Sequence, residues 1–303
     1  MTPALQAGQM HERGSTISKG IVAVTDASLD AAGAMTYWSL SGEVKHDALA
    51  AAWRAEGLDV ENLPELASPR AALGRAVNEV RARHRLGRRV TGGWAIVEET
   101  EKEAGTLKHE QTLHVSLTLT GGLTFETPTR GWDDEARKLI EEIRRAFERS
   151  LWNLSTGDVG GWLSSQVYRL GGVSLRDTGG FYFLPHISVE EWRQVVRALR
   201  AVSAATVYEI PALRTESVLD AVLDAVEREA AAEAAKIEAA MEAGDLGARA
   251  LRSREALTSA MEQKLSRYES TLGRALPALQ SRLETLRAGL ASAILAAEAE
   301  AAP

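Results

Sequence analysis

The 303-residue chain has no cysteine. That excludes disulfides, thiolate metal centres and thiol nucleophiles, and fits a reducing compartment. Its first twenty residues, MTPALQAGQMHERGSTISKG, hold no apolar core of signal-peptide length. Nowhere does the chain reach the roughly 18 consecutive apolar residues of a membrane span. The expected setting is therefore the cytoplasm, with no membrane partner. Walker-type loops, GxSxG and GxGxxG are missing as well. None of the six histidines forms HxH or HExxH. His109 and His114 lie five apart on a strand-like run, which puts them on opposite faces. These absences leave no catalytic residue, no metal ligand and no cofactor to assign.

What is present is ordinary in bulk. Hydrophobic residues make up 45% and charged residues 25% of the chain, as in globular proteins. The length suits two or three packed units. A net charge of -7 argues against wholesale coating of nucleic acid, while leaving room for a local basic patch.

Three texture zones divide the chain. Residues 1–18 are polar without hydrophobic period and read as a disordered tail. Residues 19–213 read as an α+β body. IVAVTD (21–26) and MTYWSLSG (35–42) are strand-like. HDALAAAWRAEGL places Leu49 and Trp53 on one helical face, with Gly57 at the C-terminal cap. Ser68 and Pro69 open a second helix as N-cap and first helical residue, with Leu73, Val77 and Val80 as its stripe. Residues 89–126 turn to period two, with Leu113, Val115, Leu117 and Leu119 alternating with polar residues. EETEKE (98–103) reads as a solvated hairpin tip. A strong amphipathic helix comes next over 132–152, striped by Leu139, Ile143, Phe147 and Leu151. All five Gly-Gly pairs fall between Gly92 and Gly180, which marks a turn-rich, mostly antiparallel sheet region. A helix over 189–202 and the strand TVYEIP end the body.

Residues 214–303 read as a helical hairpin arm with coiled-coil-like periodicity. The first helix, 215–243, carries eight acidic residues against Arg228 and Lys236. After the breaker GDLG, residues 248–300 carry eight cations against six glutamates. Opposite charge favours an antiparallel pair. A seam steps by three and four through Leu265, Tyr268, Leu272, Leu276, Leu279, Leu283, Leu286, Leu290 and Ile294. Gly273 and Pro277 should kink it. At ~1.5 Å per residue the arms would be about 43 Å and about 80 Å long, so the second needs a further surface: the body or another subunit. Tyr268, Leu272, Leu279, Leu283 and Leu286 are the candidate interaction residues, for a homo-oligomer or a protein partner docked on the arm.

RDTGGFYFLP (176–185) raises a second possibility. VSLR, DTGG and FYFL make strand, turn and strand, and the apolar residues on both faces of the last strand place it centrally in a sheet. The bland reading is a core hairpin. The functional one notes a helix from about Asp158 to Leu170 ahead of it, so that 133–185 resembles the end of a winged helix. Gln166 and Arg169 would then reach base edges and Arg176 a phosphate. A winged helix usually has three helices before its hairpin; only two precede this one. The run RARHRLGRR supplies Arg81, Arg85, Arg88 and Arg89 as a phosphate-binding alternative, against its plain reading as a cationic helix C-terminus.

The segments YWSLSGEVKHDALAAAWRAEGL and LPELASPRAALGRAV, with the β block and LRDTGGFYFLP, resemble an uncharacterised family of bacterial, phage and mobile-element proteins. The resemblance covers 35–211. It implies a phage- or defence-related setting, and carries over neither an activity nor a catalytic residue. The fold expected is α+β, a mostly antiparallel sheet with packed helices followed by the long helical hairpin. The function expected is non-enzymatic interaction or assembly through the arm. Nucleic-acid binding through 133–185 is the alternative, and a hydrolase with an unrecognised site the second alternative.

Overall fold

The computed structural model describes residues 30–82, 85–101, 107–127, 132–243 and 248–300. The expected tail over 1–18 and the strand IVAVTD lie outside these residues. The fold is α+β, with antiparallel sheets and a helical C-terminal third. The chain forms two compact units, each discontinuous in sequence. One holds 1–38, 171–189 and 206–303; the other holds 39–170 and 190–205. The helical third therefore shares its unit with strands drawn from the expected body.

The first unit is built on a four-stranded sheet of order β10-β1-β9-β8. Its strands are β1 (Ala31–Ser39), β8 (Val173–Ser174), β9 (Tyr182–Pro185) and β10 (Thr206–Leu213). β9 pairs antiparallel with β1, Met35 opposite Phe183 and Thr36 opposite Tyr182. It is central and buried along its whole length, as its two apolar faces require. Gly33 has no alternative at its position: a Cβ there would sit 2.0 Å from the Leu184 carbonyl oxygen.

Against this sheet lie α6 (Glu216–Glu242), α7 (Ala248–Leu272) and α8 (Pro277–Glu300). The second arm, expected as one kinked helix, is two helices. Gly273 ends α7 with φ +69°, and Pro277 opens α8 with a residue that needs no amide partner. The chain reverses between them. Leu276 donates its amide to Glu269 at 2.6 Å, and Gln280 donates to the same carboxylate at 2.5 Å. Farther along, Arg287 of α8 reaches Glu262 of α7 at 2.9 Å, so the two run antiparallel. On α6, Asp220 pairs with Arg274 and Glu238 with Arg282, so α6 runs parallel to α8. The acidic first arm does meet the basic second one, in a three-helix bundle.

The second unit packs α2 (Pro69–Glu79) and α3 (Asp134–Trp152) on the sheet β3-β4-β5-β6. The strands are β3 (Arg85–Val90), β4 (Gly93–Glu101), β5 (Leu107–Leu117) and β6 (Leu123–Glu126), all antiparallel neighbours. Leu73, Val77, Ile96, Leu113, Val115 and Ile143 form the shared core. Helix starts obey capping chemistry: Ser68 accepts from the Ala71 amide and Asp133 from the Ala136 amide. α4 (Thr156–Arg169) opens with a reciprocal capping box of Ser155 and Asp158, and Arg75 grips Asp158 bidentately at 2.6 and 2.7 Å. Burial pushes the Asp158 carboxyl up, but Arg75 and the Ser155 donors outweigh it and hold it below the usual carboxylate range. The unit also holds α1 (His46–Ala55), most of α5 (Val189–Arg200), and the strand pair β2 (Val44–Lys45) with β7 (Asn153–Leu154).

Candidate functional site

The seam residues Tyr268, Leu272, Leu279, Leu283 and Leu286 are all buried, and all belong to one cluster with Val222, Val226, Ala230 and Ile237 of α6. The chain's own helices fill the seam. The unmatched length that called for a further surface does not arise, because α8 folds back along α7.

The winged-helix segment divides between the two units. α3 and α4 lie in one, and β8 and β9 in the other. Gln166 is buried and donates to the Asn62 carbonyl at 2.9 Å, beside the Trp162 indole, which donates to the same oxygen at 2.8 Å. Arg169 donates to Gln166 at 2.8 Å and pairs with Glu191 at 2.7 Å. Both side chains are thus engaged by partners within their own unit. Arg176 is exposed on the turn between β8 and β9.

The basic run is half strand. α2 stops at Glu79, and Arg85–Val90 is β3, the edge of its sheet. Charge on an edge strand hinders pairing with other chains. Arg85 lies against Glu98 at 3.5 Å and Glu135 at 3.6 Å. Arg81 donates to the Gly87 carbonyl at 3.4 Å, and Arg88 and Arg89 are exposed. His109 and His114 share one sheet face, against expectation. The register shifts between Ile96/Leu113 and Val97/Gln111, and the extra residue, Thr112, reverses the alternation. Each histidine meets a carboxylate on a neighbouring strand, His109 with Glu99 and His114 with Glu126. Among the described residues no three His, Asp or Glu side chains are grouped to hold a metal ion, and no helix is long and apolar enough to cross a membrane.

Two features stand out in the first unit. The first is a buried polar cluster. Lys264 of α7 donates to Glu229 at 2.6 Å and to the Gly172 carbonyl at 2.7 Å. Tyr268, one turn on, donates to the Gly171 carbonyl at 2.8 Å. Burial pulls the Lys264 ammonium below its ordinary range, partly offset by Glu229. Burial, with the Glu229 charge, pushes the Tyr268 phenol far above its own. A lysine four residues before a seam tyrosine was the signal for this cluster in the sequence.

The second is an aromatic patch on the sheet. Met35 and Phe183 are opposite each other and pack into the bundle core, with Phe183 6.1 Å from the Tyr268 ring. Two residues farther along β1 lies Tyr37, and just ahead of β9 lies Phe181, with ring centroids 6.1 Å apart. Tyr208 of β10 stacks on Tyr37 at 4.6 Å and 13°. The Thr36 hydroxyl donates to the Tyr208 carbonyl at 2.9 Å and ties the strands at that point. Tyr37 is 36% exposed, Tyr208 40% and Ile210, two residues on, 45%. Arg176 and Asp177 stand on the adjoining turn, with Asp177 3.9 Å from Arg228 of α6.

A groove of 530 Å³ between α6 and α8 is crossed by the exposed Glu238–Arg282 pair and lined by Met241, Thr285 and Gly289. It holds no convergent set of reactive groups.

The molecule is thus an α+β protein of antiparallel sheets and a C-terminal three-helix bundle, with an exposed aromatic patch on one of its sheets. Residues 32–301 match a family of unknown function, DUF6744, and the chain belongs to it. The match takes in the bundle as well as the segment 35–211 that carried the resemblance. No curated protein and no solved structure matches the chain.

Proposed function

We propose that the protein is a non-enzymatic assembly protein that pairs with a second copy of itself through the aromatic patch of Tyr37, Phe181, Tyr208 and Ile210. One observation carries the reading: two stacked tyrosines stay more than a third exposed on a sheet face whose neighbouring positions, Met35 and Phe183, are covered by the bundle. Exposed tyrosine clusters are favoured anchors of interfaces, because a large rigid ring is buried at small entropic cost. The rim favours a second copy over an acidic or basic partner. Arg176 and Arg228 stand beside Asp177 and Asp224, so both signs lie within one patch. A two-fold axis through such a patch sets each sign against its opposite. The helical seam has no part in this contact.

The test is mass in solution, by light scattering, from micromolar to roughly a hundred micromolar protein. The wild type is expected to reach dimer mass. Tyr37→Thr with Tyr208→Thr keeps strand propensity and is expected to stay monomeric with unchanged circular dichroism. A wild type that remains monomeric throughout, or a variant that still dimerises, overturns the proposal.

A further inference from the structure

We propose that Lys264 and Tyr268 are positioning residues, a latch on α7 that holds the start of β8 and through it sets Phe181 in the docking patch. The docking half of this inference rests on the function proposed above; the latch itself does not.

The two side chains are one turn apart on α7 and so share a face. They donate to two consecutive carbonyls, Gly171 and Gly172, at 2.8 and 2.7 Å. Gly171 has φ +77°, a backbone state that L side chains rarely adopt, so this entry into β8 turns on glycine. The hairpin beyond it is weakly held by its own backbone. β8 is only two residues long and lies at the sheet edge, with Val173 opposite Phe183 and Ser174 opposite Tyr182. One more bond, from the Leu175 amide to the Phe181 carbonyl at 2.9 Å, closes the hairpin. Phe181 then donates its amide to Gly179 at 2.9 Å, and its ring lies beside Tyr37. So short an edge strand belongs to the low-stability end of a fold unless something outside it ties it down.

The chemistry of the tie is costly, which argues that geometry is its purpose. A largely buried ammonium needs a counter-charge, and Glu229 supplies it at 2.6 Å. Methionine or leucine at 264 would fill similar space without that requirement, but would offer nothing to the Gly172 carbonyl. The Tyr268 ring packs on Phe183 as part of the core, while only its hydroxyl reaches the loop. The ring and the hydroxyl can therefore be separated by substitution.

Hydrogen exchange on the full chain tests the latch with Lys264→Met and Tyr268→Phe, each of which keeps the packing volume. The expected result is exchange at the Leu175 and Phe181 amides faster by roughly tenfold or more, with α6 and α8 amides unchanged. A merely structural role would instead speed all amides of the unit by a common factor. Unchanged exchange at Leu175 and Phe181, or acceleration shared equally by α6 and α8, overturns the latch. The same variants, weighed in solution, test its link to docking: a latch that serves docking weakens self-association. Loosened amides with wild-type association refute that link. A monomeric wild type refutes the docking reading while leaving the exchange test intact.

Discussion

Replacing Leu283 with alanine separates a seam filled from within from one shared between subunits. Leu283 is fully buried in the bundle, in one cluster with Val222, Val226 and Leu290. The substitution removes three carbons. At ~0.8 kcal/mol per buried carbon the transfer loss is about 2.4 kcal/mol. The cavity left between packed helices adds to it, for a total of about 3–4 kcal/mol. Against a typical stability of roughly 5–15 kcal/mol, this moves the unfolding midpoint without abolishing the fold. Urea denaturation monitored by circular dichroism reads the loss, and should give the same value at low and high protein concentration. Light scattering on the folded variant should give the wild-type mass. A seam shared between subunits behaves otherwise: the loss on substitution itself changes with protein concentration, and the mass falls on substitution. Either result, or a loss well under 1 kcal/mol, would refute the packing described for α6, α7 and α8.

Two predictions concern pH. The Tyr268 phenol is pushed up in the folded chain, so its contribution is intact below the unfolded value near 10 and is lost as pH rises above it. The margin between wild type and Tyr268→Phe, measured by urea melts, should therefore shrink by about 1.4 kcal/mol between pH 8 and pH 11; a constant margin would show that the hydroxyl is not buried. Asp158 is the opposite case. Its folded pKa is depressed, so its stabilisation is present above the usual carboxylate range and is lost as pH falls through the lowered value. Asp158→Asn should cost about 1–2 kcal/mol at pH 7, with the difference closing as pH falls below the usual carboxylate range; an unchanged midpoint at pH 7 would mean that the Arg75 grip and the capping box contribute little.

Much of the fold was legible where local rules and packing agree. Ser68 and Pro69 opened a helix because their side chains suit its first turn. Gly57 closed another with φ +74°. The two apolar faces of FYFL implied a central strand, since only a strand with neighbours on both sides hides both. The site was much less legible. Tyr37 and Tyr208 lie on strands far apart in the chain, with Phe181 just ahead of a third, and periodicity says which residues share a strand face, but not which strands meet. In TVYEIP the alternation already set Tyr208 and Ile210 apart from Val207 and Glu209. It could not say that the bundle covers Met35 and Phe183 and leaves Tyr37 bare.

The sequence by itself determined the α+β class, the start and end of most helices, and the seam from Leu265 to Ile294, because each depends on residues within a few turns of one another. The tertiary structure decided what the seam is for. A positive φ at Gly273 and a proline at 277 permit either a kink or a full reversal. The reversal prevails because it brings Arg287 to Glu262 and seats the leucines of α8 against α6 and α7. It also decided that Lys264 and Tyr268 face two glycine carbonyls more than ninety residues away, a contact no local pattern records.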